Sequence, residues 1–408
     1  MKKMYIGIVV LILIFGGFFG YKFFNTNTKA KVEISITEDN SSKQKNEIIS
    51  SVFVQKNTNG TDDGFKKLIS NMQSKGLNFY KKSGGDNGLI GEKDVVLIKI
   101  NCQWDQRGGT NTDLLKSIIE SIVLHPNKFT GEIIIADNGQ SQYGAKNKGG
   151  SLDWENNNAV DKSQSAQDVA NYFEDKGFKV SGVLWDKFTQ NKVEEYSNGN
   201  YQDGFIMENE KKSTGLQVTY AKFKTQYGTM VSFKNGIWDD KNKKYDALRL
   251  KVINAPVMKN HSIYQVTAAV KSYMGTTSDK LTKTGAHNSI GKGGMGTQMA
   301  NTRMPVLNVL DAIWINPNRG PITSYEQAVE TDIIAASVDP VALDYWASKN
   351  ILIETAKKIG NNRYQAMNPD GKEPGTFGYW LRLSMEELQK SGIKTTMDEN
   401  KIGVYISD

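Results

Sequence analysis

Residues 95–100 read Val95, Val96, Leu97, Ile98, Lys99, Ile100, a nearly unbroken apolar run of strand length. A strand with one wet face would alternate polar and apolar residues. A run without alternation fits a strand covered on both faces, as in a parallel sheet. After a polar loop, Asn111 to Asp113 can cap a helix carrying Leu114, Leu115, Ile118, Ile119, Ile122 and Val123, which ends before Pro126. A second buried strand follows at Ile133 to Ala136. Strand, loop, helix and strand in that order make a βαβ unit. The chain therefore reads as α/β, with a mostly parallel central sheet flanked by helices.

The same patterning extends outward. Upstream, Phe65, Leu68, Ile69 and Met72 repeat at helical spacing behind Asp62 and Asp63, until Gly76 offers a stop. Downstream, a helix over 166–176 leads into a strand at 180–185. From Phe205 to about Trp238 short alternating runs split by Gly and Asn predict an antiparallel hairpin insertion. Three more core strands are expected at 248–253, 309–315 and 333–337. Asp339 caps the next helix with Pro340 at its first position. The last helix is expected to start at Ser384 in a capping box with Glu387, and a strand at 404–406 closes the chain. Residues 52–408 read as one domain.

Toward the N-terminus, every residue from Met4 to Tyr21 is apolar, aromatic or glycine, between Lys2 and Lys3 on one side and Lys22 on the other. With Phe23 and Phe24 the run reaches the roughly 20 residues of a spanning helix. A cleaved signal peptide is the rival, but the run ends in Phe18, Phe19, Tyr21, Phe23 and Phe24 rather than an A-x-A-like pattern. An uncleaved anchor is favoured: residues 1–24 in the bilayer, 25–51 a polar tether, and the domain on the extracytoplasmic side by the positive-inside rule.

Charge is balanced enough to exclude one class of partner. The net +7 comes from 51 basic and 44 acidic residues mixed along the chain, without a basic block, so nucleic-acid binding is not expected. One cysteine, Cys102, excludes an intrachain disulfide and an iron–sulfur cluster held by this chain alone. No local motif makes Cys102 a nucleophile, and a buried thiol is the plain reading.

Several strand-like runs end in polar side chains: Lys99 and Asn101, then Asp137 and Asn138, then Asn254 followed by Lys259 and His261. Ligands of open α/β sheets sit beyond the carboxyl ends of the strands, so these segments are expected to converge. His261, in a polar loop beside Lys259, is a candidate general acid or base, as is Asp137. Lys99, Lys259, Asn101, Asn138 and Asn254 are candidates for binding a small anion. A divalent metal on Asp137 and Asp311 is optional, with Asp339 and Asp344 as further oxygens nearby. His287 ranks lower, and His125 reads as structural. Gly291, Gly293 and Gly296 fit G-x-G-x-x-G spacing, but no strand leads in and no proper helix is expected after, so the stretch reads as a loop.

Three segments together resemble the uncharacterised family called domain of unknown function 362: Val96 to Asn101; Val252 to His261 with Thr267, Lys271 and Gly275; and Asp332 to Asp344. The short Ser337, Val338, Asp339, Pro340, Val341, Ala342, Leu343, Asp344 run is the most specific. The resemblance covers roughly 94–349 and implies an α/β fold and positions for a site, among them Lys271 as a further candidate for binding the anion. Many members of that family carry a ferredoxin-like segment, which this chain lacks. Two functions stand open: an enzyme acting on a small anion, and a non-catalytic surface binder of an anion or envelope component. A scaffold docking another envelope protein through 205–238 is the blandest alternative.

Overall fold

The computed structural model describes residues 31–36, 47–82, 87–140, 150–211, 213–282 and 285–408. The apolar segment at 4–24 and most of the tether lie outside them. Among the described residues no helix is long and apolar enough to cross a membrane.

In chain order, β1 (Ser50–Gln55) and α1 (Gly64–Ser74) precede β2 (Val95–Ile100), α2 (Thr112–Val123), β3 (Glu132–Asp137), α3 (Ala166–Glu174) and β4 (Val180–Leu184). Five strands follow: β5 (Gly204–Lys211), β6 (Leu216–Lys224), β7 (Met230–Ser232), β8 (Gly236–Asp239) and β9 (Lys244–Asp246). Then come β10 (Leu250–Ala255), β11 (Val257–His261), β12 (Gln265–Thr267) and three short helices, α4 (Ala269–Ser272), α5 (Gly285–Ser289) and α6 (Gly294–Asn301). The last part holds β13 (Leu307–Asn316), β14 (Val329–Ser337), α7 (Pro340–Ala347), α8 (Ile353–Lys358), α9 (Phe377–Lys390) and β15 (Ile402–Ser407).

The central sheet runs β15-β1-β14-β13-β10-β2-β3-β4, and off this path β11 pairs with β13 and carries β12 antiparallel on its other side. From β13 to β4 every pair is parallel. Only β14 interrupts, running against both β13 and β1. Both faces of this sheet are covered, which explains the apolar runs. On one face Val96, Ile98, Ile133 and Ile135 pack against Phe65, Leu68, Leu114, Ile118 and Phe173 of α1 to α3. On the other, Val95, Leu97, Ile134 and Val252 share a core with the C-terminal helices and with Phe205, Val218, Phe223 and Val231 of a separate antiparallel sheet, β5 to β9 in consecutive order. The expected hairpin insertion is that five-stranded meander.

Four local expectations change. Residues 257–261, read as a loop, form β11. Pro256 has no N–H to give, so the chain leaves β2 there yet keeps β13 through Val257 opposite Asp311. Ser384 lies inside α9 and donates to the Trp380 carbonyl, while Glu387 takes Ser213 and Thr297; no capping box forms. Burial of Phe377, Trp380 and Leu381 starts that helix seven residues earlier. The Gly291 to Gly296 stretch is a 3-10 turn that passes through left-handed Gly293 into α6 rather than a loop. A Cβ on Gly296 would lie 2.1 Å from the Ser384 carbonyl oxygen, so the glycine lets α6 rest on α9. Finally, β1 was not expected: it begins at Ser50 and fills the gap between β14 and β15. Ahead of it, Val32 donates to the Glu330 carbonyl and Ile36 is buried, so part of the tether lies on the domain.

Asp339 joins distant parts of this fold. Its carboxylate accepts from Val341 N and Ala342 N at the start of α7, from Ser50 Oγ on β1, and from Thr395 Oγ1 and Thr396 N before β15. Replacing Asp339→Ala removes a cap and strands buried donors, an expected loss of about 2–4 kcal/mol in chemical unfolding. A change within about 0.5 kcal/mol, as for an ordinary surface position, would contradict that role.

Candidate functional site

The chain passes from β2 to β3 on one side, whereas β10 lies on the other side of β2. Strand order reverses here, the place where α/β sheets open a crevice beyond the carboxyl ends. The opening is held by side chains. Asn101 Oδ1 accepts from Val257 N at 3.0 Å, and Thr110 Oγ1 donates to the Ala255 carbonyl at 2.6 Å, spacing the end of β2 from the jog at Pro256.

Just below lies a row of polar residues at one level of the sheet. Asn308, Asn254 and Lys99 are register partners on β13, β10 and β2, and all face α4. Asn254 Nδ2 donates to the Ala269 carbonyl and to Asn308 Oδ1, and Asn308 Nδ2 donates to the Ser337 carbonyl. Lys99 Nζ donates to Ser272 Oγ and the Ile100 carbonyl, both at 2.8 Å. From α7, Asp344 holds the other end of α4, accepting from Ala269 N and Val270 N. Two strands and a helix thus pin a four-residue turn that carries Lys271 and Ser272.

The cavity between these elements is lined by Lys99, Asn101, Asp137, Asn138, Lys259 and Lys271 together with Gln103, Gln140, Thr267, Ser272, Met274, Gly275 and Pro321. The cavity is small, about 20 Å³, on the scale of one or two waters, so any ligand held there is small and a nucleotide does not fit. Three amino groups converge on it at 0%, 3% and 6% exposure for Lys99, Lys259 and Lys271. They face one carboxylate. Lys99 Nζ lies 3.1 Å from Asp137 Oδ1, an electrostatic contact, since no donor is aligned on that oxygen; Asp137 Oδ2 accepts from Cys102 N. A Cβ on Gly275 would fall 2.1 Å from Asp137 Oδ1 and 2.7 Å from Lys99 Nζ, so only glycine leaves room for the pair.

The other two amines have no carboxylate within ion-pair distance among the described residues. Lys259 Nζ donates to the Gly108 carbonyl. Burial, then the charges of Lys271 and Lys99, push Lys259 down to about 7. Burial and the Lys99 charge push Lys271 down to about 7 as well. Thr267 Oγ1, on the same wall, lacks a hydrogen-bond partner among the described residues.

Of the residues read from sequence as the site, six line this cavity: Lys99, Asn101, Asp137, Asn138, Lys259 and Lys271. Asn254 supports α4 from below. His261 lies outside the lining, at the end of β11, where its Nδ1 accepts from Ile263 N and Tyr264 N; the ring proton then sits on Nε2. Burial and the charges of Lys271, His287 and Lys259 hold it far below the usual imidazole range. Asp311 accepts from Asn111 N, Asn158 Nδ2 and Ile313 N and is also outside the lining. Among the described residues no group of three His, Cys, Asp or Glu side chains is placed to hold a metal. Cys102 is buried, and burial raises its thiol well above the usual range. His125 bonds the Ile90 carbonyl and Asn127 N, a structural pairing.

Ser272 was missed, because its only sequence signal is its place beside Lys271. Asp279 was missed too. It is buried with neither carboxylate oxygen bonded among the described residues, and burial raises it to about 7.

These walls are the segments on which the resemblance rests, and comparison with known families agrees. Residues 246–349 match the model of a family described as domain of unknown function (DUF362). The matched stretch supplies Asn254, Lys259, Thr267, Lys271, Gly275 and Asp344, while β2 and β3 of the site lie ahead of it. No curated protein and no solved structure matches the chain.

Removing one member of a buried ion pair leaves the other uncompensated. Asp137→Ala is expected to lose about 3–5 kcal/mol in chemical unfolding, and Lys99→Met with Asp137→Leu to recover most of it. Equal losses for the single and double variants would show that the pair is not what holds the two strand ends.

Proposed function

We propose that this chain is an enzyme acting on a small anion held at the carboxyl ends of β2, β3 and β10, and that residues 4–24 anchor it to a membrane with the domain outside the cytoplasm. One observation carries the site reading: three buried amines around one cavity against a single carboxylate. A buried charge is strongly disfavoured unless paired. Asp137 is within ion-pair distance of Lys99 alone, and a carboxylate or phosphate between the amines supplies a direct counter-charge for the other two. Asn101, Ser272 and the unpartnered Thr267 hydroxyl add donors of the kind that orient such a ligand. Turnover is favoured over capture because Lys259 and Lys271 sit near 7, where an amine can both take and give a proton.

The sign of the pH dependence follows. Without ligand, the two amines of the folded chain lose protons near 7, while those of the unfolded chain keep theirs to about 10.4. Between those values the unfolded state binds more protons, so stability should rise with pH. A bound anion favours the ammonium forms, so its affinity is full below 7 and falls as pH rises through it. Calorimetric titration with inorganic phosphate and with acetate should show proton uptake and binding at least tenfold weaker at pH 8.5 than at pH 6, an order-of-magnitude expectation for an amine that must be charged. Lys259→Met should remove most of the affinity at either pH. Binding indifferent to pH and to Lys259 would overturn the reading.

The anchor is supported by the run from Met4 to Tyr21. Alkaline extraction of membranes should leave the chain in the pellet with its N-terminus uncut. A mature chain starting after Tyr21 would identify a signal peptide instead.

A further inference from the structure

The three lysines of the cavity are not equivalent. Lys99 is committed to Asp137, Ser272 and the Ile100 carbonyl, and Lys259 to the Gly108 carbonyl. Lys271 has no hydrogen bond and no ion pair among the described residues, although it is 94% buried by its 6% exposure and lines the cavity. Its Nζ lies 5.9 Å from the Tyr264 ring centre, the outer limit of a cation–π contact, and the Asp279 carboxylate acts on it from beyond ion-pair distance. An ammonium kept from water and given no acceptor is less stable than the free amine. A buried amine beside other cationic groups is how lysine is made a nucleophile for carbonyl carbon. The turn that carries it is rigidly held, with Asp344 at its start and Ser272 on Lys99 at its end.

We infer that Lys271 condenses with the carbonyl carbon of a small 2-oxo carboxylate whose carboxylate group is held by Lys99 and Lys259. This rests on the anion reading above and narrows it. The cavity is small and all three amines line it, so a ligand that meets the committed amines and Lys271 together is one with its carboxylate and its carbonyl on neighbouring carbons. In the step, the Nζ lone pair forms the C–N bond while the carbonyl π pair moves to oxygen, which takes a proton as nitrogen loses one. The resulting hydroxyl leaves as water with one further proton from an ammonium of the same cavity, the C=N bond forms, and the proton still on nitrogen returns to that amine. Amine and ketone become imine and one water, with no oxidant or reductant. The push of Lys271 down to about 7 agrees with a free amine at neutral pH. In the imine, nitrogen becomes an electron sink, the ordinary use of a Schiff base in breaking or deprotonating at the adjacent carbon.

The test uses the detergent-solubilised full chain with glyoxylate and, separately, pyruvate, each reduced by borohydride and mapped by peptide mass. The expected result is one hydride-dependent adduct on Lys271, suppressed by excess inorganic phosphate and absent with acetate, which has no such carbonyl. It should be lost in Lys271→Arg. Mapping on the unaltered chain decides the matter even if that variant fails to fold. No adduct on Lys271, or labelling confined to exposed lysines such as Lys66 and Lys241, overturns the inference. If phosphate still binds in the Lys259-dependent manner, only the Schiff-base step falls; if neither phosphate nor acetate binds, the anion reading falls with it.

Discussion

The Lys99 and Asp137 pair is the constraint around which the rest of this fold is arranged. Two charges at the ends of adjacent parallel strands, nearly without solvent, are stable only in good geometry with their remaining valences satisfied. The structure meets that demand from several directions. Ser272 and the Ile100 carbonyl take two protons of Lys99, Cys102 N donates to Asp137, and Gly275 leaves the space both need. Those groups come from the end of β2 and from the α4 turn with the residues just after it, so the pair fixes β2, β3 and that turn relative to one another.

Asp344 and Asp339 act one layer further out. The first holds the backbone of α4, the second starts α7 and draws β1 and the C-terminal segment to it. The segment from Ser337 to Asp344, the most specific part of the family resemblance, is therefore a support for the site rather than its lining. The charge lining the cavity is one-sided, three amines for one acid, with Asp279 acting on Lys271 from outside the lining. That imbalance, and not any single side chain, is what points to an anionic ligand.

Much of this was legible in the sequence. Apolar runs such as 95–100 and 133–136 reveal a doubly covered parallel sheet, because burial on both faces removes alternation. Lys99, Asn101, Asp137, Asn138 and Lys259 stood out as polar groups at strand ends, and Lys271 came through the resemblance. What was not legible depends on contacts distant in sequence. β1 is a short run that becomes a strand only between β14 and β15. Ser384 has the spacing of a helix start, but burial of Phe377 and Trp380 moves that start upstream. His261 resembles an acid–base residue by type and neighbourhood, yet two backbone N–H groups occupy its Nδ1, which no local pattern announces. The partnerless state of Lys271 among the described residues is likewise a property of the assembled cavity, invisible until its neighbours are known to be engaged elsewhere.

The central claim is spatial: one anion sits among Lys99, Lys259 and Lys271. Anomalous diffraction from crystals soaked in selenate at pH 6 tests it most directly, because the scatterer marks where a small oxyanion settles without reference to turnover. The account predicts the strongest protein-bound peak inside the cavity, within hydrogen-bonding distance of Lys259 and Lys271. Peaks confined to surface lysines, with the cavity holding only water, would contradict it.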